Sequence, residues 1–161
     1  MSDRLTHECG LAFVRLRKPL HYYQEQYGDA AWGLRKTYLL MQKQYNRGQD
    51  GAGLATVKFD MPAGDNFLLR VRSDKNNAIE RIFDVITEDT AQLNKAISAE
   101  TEMDAKRACR FLGEAYLGHL RYGTHAGNSM AMCHPFIRKS NIASRNIALA
   151  GNFNMTNSGD L

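Results

Sequence analysis

The sequence predicts one globular domain of the α+β class, and three observations support this prediction. Apolar residues recur every three or four positions over 29–45 and again over 79–86, which is the periodicity of helices. Short apolar runs bounded by turn residues, such as 11–16 and 115–122, are typical of strands. The 161 residues are 43% hydrophobic and 24% charged, which suits a single folded domain and argues against disorder.

The first predicted elements are a buried strand over 11–16 and a helix over 29–45. The helix carries its apolar side chains on one stripe and ends at 46–48, where Gly48 suits a left-handed backbone. The aromatic residues near it are expected to pack around the helix rather than to form a base-stacking platform. The stripe consists of Ala31, Leu34, Tyr38, Met41 and Tyr45.

From residue 52 onward the pattern predicts four strands and two or three helices. A further helix start is predicted at Asn157, so the sequence is expected to be part of a longer one. In chain order the predicted elements are strands over 52–59 and 67–72 joined by a turn at 60–66, a helix over 79–86, one or two helices within 93–112, a strand over 115–122, a loop over 123–135 and a strand over 146–152.

Apolar runs, cysteines and charge exclude several classes of protein. No apolar run reaches the ~18 residues of a transmembrane helix, and no secretory signal opens the chain. Cys9, Cys109 and Cys133 are too few for a disulfide framework and form no C-x-x-C zinc pair. No metal site is therefore predicted. The net charge of +4 is scattered along the sequence, so no nucleic-acid partner is predicted either. A reducing, cytoplasmic location is expected.

Cys9, directly before the first predicted strand, is the candidate nucleophile. A cysteine at a true N-terminus combines a thiol of pKa ~8.5 with an α-amino group of pKa ~7.7–8, so nucleophile and base belong to one residue. The nitrogen of Cys9 is an amide while residues 1–8 remain attached, so this chemistry requires their removal. Taken alone, a cysteine near a terminus is more often structural.

Three further motifs contain residue types suited to binding or catalysis. Residues 46–53 (Asn-Arg-Gly-Gln-Asp-Gly-Ala-Gly) form a tight connection, in which positive φ is the expected reason for glycine. Residues 118–124 put Arg121 at a strand end, where it can bind a carboxylate or form a surface ion pair. Residues 151–157 put Asn152 at a turn, where its amide and a backbone N–H can form an oxyanion hole or simply complete the turn.

Together with Cys9-Gly10, and in this order, these motifs resemble those of the class II glutamine amidotransferases, which are N-terminal-nucleophile hydrolases. The wording of 47–53 is most similar to the members that deliver ammonia to phosphoribosyl pyrophosphate. The resemblance implies an α+β sandwich of the αββα type, with antiparallel sheets between helical layers and some strands missing from this sequence. It also implies a propeptide over 1–8 and a partial glutaminase domain over 9–161.

The resemblance assigns three residues to catalysis. Cys9 attacks the side-chain amide carbon of glutamine, while the Asn152 side chain and the Phe153 backbone N–H hold the oxyanion. The class usually has glycine at the position of Phe153, where positive φ would be costly for phenylalanine. It also usually has histidine at the position of Asn46.

The resemblance assigns the binding of glutamine to Arg121, for the α-carboxylate, with Thr124 in the same pocket and Arg47 in the loop that borders the nucleophile. A phosphoribosyltransferase domain with its magnesium ion would lie beyond Leu161, as would the aspartate for the amino group of glutamine. The full-length protein is expected to be a homo-oligomer. Residues 1–161 alone are expected to show little activity, because part of the sheet would be missing.

Two other functions stay open at this point. The chain could be a cysteine–histidine hydrolase with Cys133 as nucleophile and His119 or His125 as base. It could also be a basic nucleic-acid-binding module, which would bind RNA or DNA with a steep salt dependence.

Overall fold

The fold is α+β, with a four-stranded antiparallel sheet at its centre. The computed structural model describes residues 8–91, 93, 96–123 and 129–153. The sheet has the order β1–β4–β2–β3. Its strands are β1 (Gly10–Arg15), β2 (Gly51–Val57), β3 (Leu68–Ser73) and β4 (Ala115–Arg121). β4 lies between β1 and β2 and pairs with both, so the start of the chain and the segment that leads into β2 meet at this strand.

Helices cover one face of the sheet. α2 packs on β1 and β4, and α3 packs on β2 and β3. None of the helices in the described ranges is long and apolar enough to cross a membrane. The helices are α1 (Leu20–Tyr27), α2 (Trp32–Lys43), α3 (Ala78–Thr90) and α4 (Glu102–Ala108), with a 3-10 turn at Tyr45–Arg47.

The hydrophobic core lies between this helical layer and the sheet. Successive side chains of a strand point to opposite faces, so Leu54 of β2 and Leu120 of β4 both point toward the helices, where they are fully buried. Ile82 of α3 and Met41 of α2 meet them from the helical side. Apolar burial therefore holds the sheet to the helices.

A short hairpin lies on the opposite face of the sheet. Its strands are β5 (Phe136–Arg138) and β6 (Ile147–Leu149), which pair antiparallel. Hydrogen bonds link it to the large sheet: the Arg70 guanidinium donates to the Pro135 carbonyl (3.1 Å), and the Arg72 guanidinium donates to the Cys133 carbonyl (2.7 Å).

Buried charges attach α4 to the end of the sheet. The Lys106 ammonium contacts the Glu114 carboxylate at 2.7 Å and donates to the carbonyl of Phe59 at 2.8 Å. The Lys58 ammonium donates to the carbonyl of Cys109 at 3.0 Å. Burial lowers the pKa of Lys58, against the opposing charge of Asp89. These charges are paired or hydrogen-bonded, as burial demands.

Most of the predicted elements are confirmed, and the exceptions are short. The predicted strands over 11–16, 52–59, 67–72 and 115–122 correspond to β1, β2, β3 and β4, and the helices over 29–45 and 79–86 to α2 and α3. The predicted strand over 146–152 is present but shorter, as β6 (Ile147–Leu149), whereas α1 and β5 were not predicted. Asn157 lies outside the described residues.

Candidate active site

The carboxyl end of β4 is the place where the sequence motifs meet. Gly10 pairs with Leu120, so Cys9 lies beside the last residues of this strand. The backbone N–H of Tyr122 donates to the Cys9 Sγ at 3.5 Å, and the same sulfur lies 4.0 Å from the Tyr122 carbonyl oxygen. Backbone contacts therefore hold the thiol. Because Cys9 is partly exposed, the thiol is still within reach of a ligand.

The connection over 46–53 is fastened to the same strand end through Asp50. Its backbone N–H donates to the Arg121 carbonyl at 3.0 Å, and its carboxylate accepts the Gly123 N–H at 2.8 Å. Asp50 thereby bridges the residues on both sides of Tyr122. This aspartate is a site residue that the sequence motifs did not predict, although its place among three glycines was the available clue.

The glycines of this connection are required by close packing, so the prediction of positive φ was wrong. Gly48 has an extended backbone (φ −155°), and a Cβ on it would lie 2.7 Å from the Arg121 carbonyl. A Cβ on Gly51 would lie 2.6 Å from the Cys133 Sγ, and one on Gly53 would overlap the His134 carbonyl oxygen. The missing side chains let the backbone of this motif contact β4 and the residues before the hairpin.

Arg121 is almost completely buried, with 7% of its surface exposed. It occupies the same face of β4 as His119, two residues earlier, because strand residues two apart share a face. Because this guanidinium is buried at the end of β4, close to Cys9, the alternative of a surface ion pair is disfavoured. The binding of a carboxylate by Arg121 through two parallel hydrogen bonds stays a prediction.

Two histidines contact the backbone groups of Gly151. The His119 Nε2 lies 3.2 Å from the Gly151 carbonyl oxygen, and the Gly151 N–H donates to the His134 Nδ1 at 3.3 Å. The two imidazole rings are themselves in contact, with centroids 4.4 Å apart. Burial, followed by the nearby charge of His134, lowers the pKa of His119 to about 4. Burial likewise lowers the pKa of His134.

Asn152 and Phe153 follow Gly151 and are both exposed. The Phe153 ring folds back over Gly151 and stacks on the ring of His134, with centroids 4.9 Å apart. Within the described part of the chain, positive φ outside glycine occurs at Asp60 and Asn77. The strain that phenylalanine would suffer at positive φ therefore does not arise at Phe153.

The predicted binding residues besides Arg121 are Arg47 and Thr124. Arg47 ends the 3-10 turn Tyr45–Arg47 and is exposed at the surface. Thr124 lies outside the described residues, as does His125. In the ranges that the structure describes, no three His, Cys, Asp or Glu side chains form a group that could hold a metal ion.

Cys133 is poorly placed to act as a nucleophile. It is fully buried, and its Sγ lies 3.7 Å from the Ser73 carbonyl oxygen and 3.8 Å from that of Ser129. Burial raises the pKa of the Cys133 thiol, which reduces the share of reactive thiolate at neutral pH. The Nε2 of His119, a base in that alternative, faces Gly151. These observations disfavour the cysteine–histidine hydrolase.

The thiol, the buried arginine and the asparagine turn are the features in which the sequence resembles the class II glutamine amidotransferases. The chain is also similar to a curated protein. Over 127 residues the chain is 31% identical to the amidophosphoribosyltransferase of Methanocaldococcus jannaschii, and the match covers 79% of this chain and 21% of that protein. The chain thus spans about a fifth of the length of this relative. No family model matches the chain.

Proposed function

We propose that this chain is part of the glutaminase unit of a class II glutamine amidotransferase, in an enzyme that forms phosphoribosylamine from phosphoribosyl pyrophosphate. The observation that carries the proposal is the position of the Cys9 thiol against Tyr122, next to the buried Arg121. The similarity to an amidophosphoribosyltransferase supports the same conclusion. The antiparallel sheet with helices on one face is compatible with the N-terminal-nucleophile sandwich.

Binding of glutamine starts from Arg121. Its guanidinium binds the α-carboxylate of glutamine, with Thr124 nearby and Arg47 at the border of the pocket. Because Arg121 is buried, the pairing of the two charges is poorly screened by water, which strengthens it. The amide end of glutamine then points toward the sulfur.

Hydrolysis of the amide proceeds through a thioester on Cys9. After residues 1–8 are removed, the free α-amino group takes the thiol proton, and sulfur bonds to the amide carbon. The Asn152 amide and the Phe153 N–H donate to the oxyanion. The C–N bond then breaks, the proton passes to the departing nitrogen, and ammonia leaves. Water hydrolyses the thioester to glutamate and regenerates the thiol.

Ammonia from this unit displaces pyrophosphate from phosphoribosyl pyrophosphate in a second domain, outside residues 1–161. A magnesium ion in that second domain would bind the pyrophosphate group. The complete protein is proposed to be a cytoplasmic homo-oligomer with no nucleic-acid partner.

The experiment uses the product of the native gene and an electrophilic glutamine analogue, such as a diazoketone. Intact mass is measured before and after labelling, and glutamate release is followed in parallel. We expect loss of residues 1–8, one label per chain on Cys9, and neither label nor glutamate release in Cys9→Ser.

Cys133→Ser and Cys109→Ser are the matched controls, because both thiols are buried. We expect each control to keep the label and most of the activity. Glutamine turnover with residues 1–8 still attached would contradict the proposal, as would labelling that survives Cys9→Ser and disappears in Cys133→Ser.

A further inference from the structure

We propose that His119 and His134 are positioning residues that hold the Gly151 peptide, and with it the oxyanion-binding groups of Asn152 and Phe153. This inference rests on the proposed function. It adds two residues that the resemblance does not assign to the site, and it gives each histidine a defined hydrogen-bonding role.

The hydrogen bonds fix the state of both rings. A carbonyl oxygen only accepts, so the contact at 3.2 Å requires a proton on the His119 Nε2. A backbone N–H only donates, so the contact at 3.3 Å requires an unprotonated Nδ1 on His134. A neutral His134 therefore carries its proton on Nε2. Protonation of its Nδ1 would replace an acceptor by a donor and break the bond to Gly151.

The surroundings keep both rings neutral. Both histidines are buried, and Arg121 and Arg72 add positive charge that opposes protonation of His134. His119 faces the charge of Arg121 and the ring of His134. The buried Nδ1 of His119 has no hydrogen-bond partner among the described residues, which is consistent with an unprotonated nitrogen rather than a buried cation.

The backbone of Gly151 depends on these two side chains because no strand in the described ranges pairs with it. The ladder of β6 ends at Leu149, two residues earlier, and Asn152 and Phe153 are exposed beyond it. The two imidazoles thus supply the acceptor and the donor that a neighbouring strand would otherwise supply. His119 lies in β4 and His134 lies just before β5. The two side chains therefore tie residues 151–153, which carry the proposed oxyanion-binding groups, to the strand that ends at Arg121.

The test exploits the different positions of the two ring nitrogens. Nδ1 is two bonds from Cβ, like the amide oxygen of asparagine, and Nε2 is three bonds from Cβ, like the amide nitrogen of glutamine. His134→Asn and His119→Gln are therefore matched replacements. His134→Gln and His119→Asn are mismatched controls, which place the same amide chemistry in the wrong position. All four are made in the product of the native gene.

Two measurements are made on each variant. Glutaminase assays give kcat and KM, and NMR of the isotopically labelled protein reports the Gly151 amide and the imidazole nitrogens. We expect the mismatched variants to lose about 100-fold in kcat, the scale of a misplacement of about 1 Å, with KM within about twofold because Arg121 is untouched. The matched variants should keep kcat within about fivefold, and the wild-type rings should give neutral Nε2–H signals at pH 7.

Every outcome decides between the possibilities. Equal activity in all four variants, or equal loss in matched and mismatched variants, would overturn the positioning role and leave the proposed function intact. Imidazolium signals in the wild type at pH 7 would overturn it as well. A wild type that never hydrolyses glutamine would instead overturn the proposed function and, with it, the catalytic purpose assigned to this contact.

Discussion

The two faces of the central sheet are held in different ways. On the helical face, side chains such as Leu54, Leu120 and Tyr116 are fully buried against α2 and α3. On the opposite face, Leu11 and Phe13 are largely exposed, the latter at 62%. The contacts of that face include hydrogen bonds from arginine and histidine side chains to backbone groups, together with close packing on bare glycines.

This difference suggests that one face supplies most of the stability of the fold, whereas the other face fixes the positions of the site residues. Burial of apolar surface is non-directional and tolerates small shifts, so it suits the face that only has to hold the fold together. Hydrogen bonds and backbone-to-backbone packing depend on direction and on tenths of an ångström. The candidate catalytic residues lie on the second kind of face, where directional contacts fix their positions.

The largest expected effect is the loss of core packing on the helical face. Leu54→Ala should lower the free energy of unfolding by about 2–5 kcal/mol, because it removes a fully buried side chain and leaves a cavity. Urea unfolding followed by circular dichroism measures this. A loss below about 1 kcal/mol would mean that the helical face is not the main source of stability.

Gly53→Ala tests the opposite face at its tightest point. The new Cβ would overlap the His134 carbonyl oxygen, so the backbone must move, at a cost of about 1–3 kcal/mol. We also expect the NMR signals of Gly151 and Phe153 to shift, because His134 contacts both. Unchanged signals at these two residues would show that strand and hairpin are not coupled through Gly53.

Acid should lower the free energy of unfolding, and the sign follows from the pKa of His119. The unfolded histidine takes up a proton near pH 6.5, whereas folded His119 does so near pH 4. The unfolded state thus binds more protons between these values, and the free energy of unfolding falls as the pH falls. Between pH 7 and pH 5 this amounts to about 2 kcal/mol for His119.

His119→Gln is the matched comparison for this pH dependence. Its unfolding free energy should fall by about 2 kcal/mol less than that of the wild type over the same interval. Denaturant titrations at pH 7 and pH 5 provide the comparison. Parallel losses in the two proteins would place the acid sensitivity elsewhere.

The smallest effect is expected from Phe13→Ala. Its ring is mostly exposed, so truncation should change the free energy of unfolding by less than about 0.5 kcal/mol. The same urea titration as for Leu54→Ala gives the contrast between the two faces directly. A loss as large as that of Leu54→Ala would show that another part of the protein covers this face in solution.

The elements with one buried face could be predicted from the sequence, because burial of one face makes apolar residues recur at the spacing of a helix or a strand. The stripe from Ala31 to Tyr45 marked α2, and Ile79, Ile82 and Ile86 marked α3. Helix α1 escaped because only Leu20 and Tyr23 of its eight residues are buried, too few to establish a helical stripe. β5 escaped because three residues are too short to show alternation.

The candidate site could be predicted only in part. Cys9, Arg121 and Asn152 stood out because their residue types carry chemistry in motifs whose order could be compared with a known class. The contacts that place them could not be found this way. Gly53 meets His134 across 81 positions of sequence, and His119 meets Gly151 across 32, so neither pair leaves a local pattern.

The pairing of β1 has a consequence for the maturation that the proposed chemistry requires. Its six cross-strand pairs run from Gly10 to Arg15, and every one lies after Cys9. Scission of the bond between Glu8 and Cys9 would consequently remove none of these rungs. The newly liberated amine of Cys9 would remain anchored, because Gly10 directly after it is paired with β4. The protein could thus acquire its catalytic base without any rearrangement of β1.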